Sequence, residues 1–208
     1  MSESELTALY MDVVEHAVEV FEPLWVDDSG RVPDSGFFDF RKYGNWRDEE
    51  YESAITVPGN GMVAYCYAVL LTETDKTHFS ANNISREVLR DHAIKAIRWL
   101  CLTSDYVEHP YPYPIAQTYK GSSHLLRNGH WYRAPGKRCE ALGWFTLAVA
   151  KLRGELDPST QQLVQTVLTG TALKADPGYV WTPGQGGNHD QVIQDYTSTA
   201  GAAFLWPQ

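Results

Sequence analysis

At 208 residues, with 43% apolar and 21% charged side chains, the chain is long enough to bury one good core and too apolar to be broadly disordered. Its formal net charge of −9 argues against a nucleic-acid partner, because phosphates repel such a surface, and a membrane-surface role finds no support either. No stretch is apolar for long enough to span a bilayer, and Met1 to Phe21 lacks the basic start and continuous apolar run of a secretory leader, so a cytoplasmic protein of one domain, 1–208, is expected.

The first helix shows in Leu6, Leu9, Tyr10, Val13, Val14, Ala17, Val20 and Phe21, which recur at the spacing of one helical face. Ser2 with Glu5 suits a capping box at its start, and Pro23 ends it. A second helix runs from about Gly61 to Leu71 and is apolar on every side, which predicts burial all round. The third follows a Ser85 cap and carries Leu89, Ala93, Ala96, Ile97, Leu100 and Cys101 as one stripe, with charge opposite. The fourth, from about Cys139 to Arg153, is again apolar nearly throughout, and Gly154 stops it. Asp157 and Pro158 then form a cap and first-turn pair for a fifth helix with a Leu163, Val164, Val167, Leu168 and Ala172 stripe. A weaker sixth begins near Asp190. Cys66, Cys101 and Cys139 all fall in apolar helical stretches without paired spacing, which reads as buried reduced thiols rather than a disulfide frame or a metal site.

Amphipathic odd helices and all-apolar even ones suit an outer layer wrapped on an inner layer. Connector length alternates too. Long links run from Pro23 to about Ala54, from Thr103 to about Arg138 and from Asp176 to about His189, while short ones join helix two to three and four to five. If successive helices reverse direction, the three long links emerge at one end of the bundle. Links of that length without regular structure are functional or disordered, and their many aromatics, Trp25, Trp46, Tyr111, Trp131 and Trp181 among them, favour function.

The fold class expected is therefore all-α, built of antiparallel helix hairpins in two layers. The stretch AIRWLCLTSDY at the third helix, the stretch RCEALGWFTLAVAKLRGELDPSTQQLVQTVL and the GNHDQ segment at 187–191 resemble heparinase II/III-like and related polysaccharide lyases of the (α/α) toroid type. The resemblance covers the central and C-terminal thirds of the chain. It implies an incomplete toroid, since three hairpins make only part of a ring, and a possible homo-oligomer would complete it. It also implies a uronate-containing glycan as substrate, cleaved by β-elimination or simply bound, with no cofactor.

Such elimination needs a group that neutralises the substrate carboxylate and a Tyr or His that takes the adjacent proton. In this reading Asn188 holds the carboxylate, and His189 or His130 with Tyr132 act as base or acid. Trp46, Arg47, Trp131, Arg133, Glu140 and Trp181 bind the chain. The second connector is positive within an acidic protein, with Lys120, Arg127, Arg133, Lys137 and Arg138, as an anionic glycan requires. Plainer readings stand beside each residue. Asn188 and His189 follow three glycines and read equally as a turn capping the sixth helix; His130, like His124, reads as a surface histidine; Trp46 and Arg47 read as a stacked loop staple; Glu140 reads as a charge favoured near a helix start. Two other functions remain open. A glycoside hydrolase would draw on Asp48, Glu49, Glu50, Glu52 and Asp190, and a non-catalytic carbohydrate-binding or assembly module would use only the aromatics.

Overall fold

The computed structural model describes residues 2–40, 57–79, 83–104, 106–109, 111 and 135–174, with backbone alone at 57–58, 135–142 and 171–174. The fold is all-α, with five α-helices and four strands of two or three residues among the described residues. None of these helices is long and apolar enough to cross a membrane.

Helix α1, Glu3–Phe21, starts with the capping box: the Ser2 hydroxyl accepts from the Glu5 amide at 3.3 Å, and the Ser2 amide donates to the Glu5 carboxylate at 2.6 Å. Its packing departs from the single stripe expected. Val14 and Val18 are buried and Met11 and Phe21 pack on the core, whereas Leu6, Leu9, Tyr10 and Val13 stay exposed. Helical geometry explains the split, because Leu9 and Val18, at about 100° per residue, lie on opposite sides of the rod. One neighbour cannot cover both.

A 3-10 turn, Glu22–Leu24, leads into strand β1, Trp25–Asp27, which pairs antiparallel with β2, Gly36–Phe38, in the register Trp25 with Phe38, Val26 with Phe37 and Asp27 with Gly36. The first long connector thus contains a strand pair that its aromatic-rich sequence did not predict. Gly36 is required there, since a Cβ would collide with the Trp25 ring and the Val26 carbonyl. The loop between the strands turns through Asp34, whose φ of 49° an aspartate tolerates better than most residues.

Helix α2, Val57–Glu73, is the buried centre. Val63, Ala64, Tyr67, Ala68, Val69, Leu70 and Leu71 are all buried, among neighbours from α1 and from the two helices described next. Its first turn carries a buried polar clamp: the Asn60 side chain accepts from the Phe38 amide at 2.7 Å and donates to the Phe38 carbonyl at 3.3 Å, fixing β2 against the helix. A second short pair, β3 (His78–Phe79) with β4 (Ile84–Ser85), then turns the chain. Helix α3, Arg86–Leu102, follows, and Ser85 caps it by accepting from the Val88 amide. Its predicted stripe, Leu89, Ala93, Ala96, Ile97, Leu100 and Cys101, is buried as expected, and Trp99 joins it. The Arg86 guanidinium donates to the carbonyls of Leu71, Thr74 and Lys76, so the start of α3 satisfies groups that the end of α2 leaves unpaired.

Helix α4, Pro135–Leu152, packs on α2, with Phe145, Ala148 and Val149 buried and the Tyr65 and Trp144 rings 5.7 Å apart. Lys151 near its end pairs with Glu73 at the end of α2. A tight turn at Arg153 to Glu155 leads to α5, Pro158–Lys174. Here the predicted cap is realised: the Asp157 carboxylate accepts from the amides of Ser159 at 2.9 Å and Thr160 at 3.0 Å and from both hydroxyls. Leu156, Val164, Val167 and Leu168 are buried beneath it. The expected sixth helix lies outside the described residues.

Candidate functional site

Most residues singled out for glycan chemistry, namely Asn188, His189, His130, Tyr132, Trp46, Arg47, Trp131, Arg133 and Trp181, lie outside the described residues, as do His124 and the acids at 48–52 and 190. Glu140 falls on the helical backbone of α4, within its first two turns. Of the thiols, Cys101 is buried and Cys66 half-buried, and both are free; burial pushes both pKa values up, which suits inert packing groups. Among the described residues no group of three or more His, Cys, Asp or Glu side chains could hold a metal ion.

The described residues do assemble one buried polar centre, where the end of α1 meets β1, α2 and α3. Glu22 lies just past the last turn of α1, a place where the helix dipole disfavours negative charge. Two donors answer that cost. The Tyr67 hydroxyl donates to Glu22 Oε1 at 2.8 Å, and His92 Nδ1 stands 3.0 Å from the same oxygen. The Trp25 indole stacks on the imidazole, ring centroids 4.0 Å apart and planes 15° from parallel. The pair is nearly enclosed, with 14% of the His92 side chain and 10% of the Glu22 side chain exposed.

An ionised carboxylate only accepts, so the proton in this contact belongs to Nδ1 and, in the neutral ring, the lone pair belongs to Nε2. Nε2 has no partner among the described residues. Tyr67 is fully buried, and burial first, then the Glu22 carboxylate, push its phenol pKa far up. It therefore stays protonated, a permanent donor to Glu22 and no general base. The centre thus holds one imidazole in a fixed orientation through a carboxylate, itself fixed by a phenol. Sequence reasoning missed it because Glu22, Tyr67 and His92 lie on three different helical segments. The available signal was a histidine beside the apolar α3 stripe and a glutamate at a helix end.

A second set of polar contacts fastens the β1–β2 loop to α3 and α5. Asp28 accepts from the Trp99 indole at 3.0 Å and pairs with Arg31. Arg98 donates to the Asp34 carbonyl at 2.9 Å and to the hydroxyls of Ser159 at 3.0 Å and Thr160 at 2.8 Å. Lys95 lies 2.9 Å from Asp91 and 3.8 Å from Asp27. These groups are satisfied by one another, and their role is to hold the loop.

Compared with protein-family models, with curated proteins and with solved structures, the chain matches none.

Proposed function

We propose that the chain is a polysaccharide-lyase-like protein whose helices form part of an (α/α) toroid, and that it cleaves or binds a uronate-containing glycan where its long connectors meet. One observation carries this reading, the way the described helix ends are matched. The start of α3 sits on the end of α2 through Arg86, and the ends of α2 and α4 are joined by Glu73 and Lys151. Tyr106, just past α3, lies against Gly170 near the end of α5. These pairings support an arrangement in which α2 and α4 begin, and α3 and α5 finish, on a common rim. In that arrangement the start of α2, the end of α3, the start of α4 and the end of α5, the described helix ends nearest in sequence to the long connectors, share this rim.

In this proposal Asn188 neutralises the uronate carboxylate, and His189, or His130 with Tyr132, removes the neighbouring proton while the linked sugar oxygen departs. Arg47 and Arg133 hold the anionic chain. His92 and Tyr67 are residue types that elimination uses, but Tyr67 is committed to Glu22 as a donor, so the proposed base stays on the connectors. The test is a panel of uronate polymers followed by ultraviolet absorbance, which rises as each elimination leaves an unsaturated product. Asn188→Ala and His189→Ala should each lower that rate by about a hundredfold or more. New reducing ends without absorbance would replace the reading with a glycoside hydrolase, and glycan binding with neither signal would replace it with a binding module.

A further inference from the structure

We draw no further inference here: the strongest candidate, the side-chain cluster of Glu22, Tyr67 and His92 where the end of α1 meets β1, α2 and α3, belongs to the buried centre already described, and nothing among the described residues shows what ligand would meet its imidazole.

Discussion

Helices α1 and α3 begin alike and end differently. Each has a serine cap, an acidic first turn and an apolar stripe legible in the sequence, yet α3 buries its stripe from Leu89 to Cys101 while α1 buries only Val14 and Val18. The difference lies in what surrounds them. Helix α3 has α2 on one side and the β1–β2 loop and α5 on the others, tied by Trp99, Arg98 and Arg86. Among the described residues the first half of α1 has no such neighbours. Periodicity states that a helix has an apolar face, and packing decides whether that face is occupied.

The contrast can be broken most forcefully at Trp99. Its ring is fully buried, 5.1 Å from Phe37, and its indole bonds to Asp28, so Trp99→Ala should lower unfolding free energy by about 3–5 kcal/mol in chemical denaturation. Leu9→Ala in α1 should stay within about 0.5 kcal/mol of wild type in the same assay. A large loss at Leu9 would mean that the stripe is covered.

A smaller effect is expected at Asp157, which pins the start of α5 beside α3. Hydrogen bonds from the Ser159 side chain first, and from Thr160 next, hold this carboxyl well below the usual carboxylate range. A depressed folded-state pKa means that the stabilisation is complete above the unfolded value of about 3.9 and is lost as pH falls towards the folded one. Asp157→Ala should therefore cost about 0.5–2 kcal/mol at neutral pH, and the gap between variant and wild type should close as pH drops below about 4. Thermal melts across that range read both.

The finest comparison sets the two serine caps against each other. Ser85→Ala should cost about 1 kcal/mol of global stability, because α3 is packed along its length. Ser2→Ala removes the same kind of bond but should leave the denaturation midpoint unmoved and only speed amide exchange in the first turn of α1. Equal losses at both positions would erase the distinction between a docked and a projecting helix.

Much of the helical frame was legible because it depends on local signals. Ser85, Asp157 with Pro158 and Gly154 each state a boundary in one or two residues, and the all-apolar character of α2 states its burial. The short strands escaped because a pair such as Trp25–Asp27 with Gly36–Phe38 spans too few residues to establish a period, and its register depends on Asn60 in a later helix. The Glu22, Tyr67 and His92 centre escaped for a related reason. No spacing in the sequence encodes a carboxylate shared between two donors that meet only after α1, α2 and α3 have packed. The connector residues from which glycan chemistry was read lie outside the described residues, so their juxtaposition rests on the rim proposal alone.

Arg86 carries a consequence for the order of events in folding. One guanidinium, belonging to the first residue of α3, closes the carbonyls at and just beyond the last turn of α2, so α2 cannot fray from that end without releasing the beginning of α3. The two rods and the β3–β4 turn between them are thereby joined into one cooperative unit, which opens and closes together.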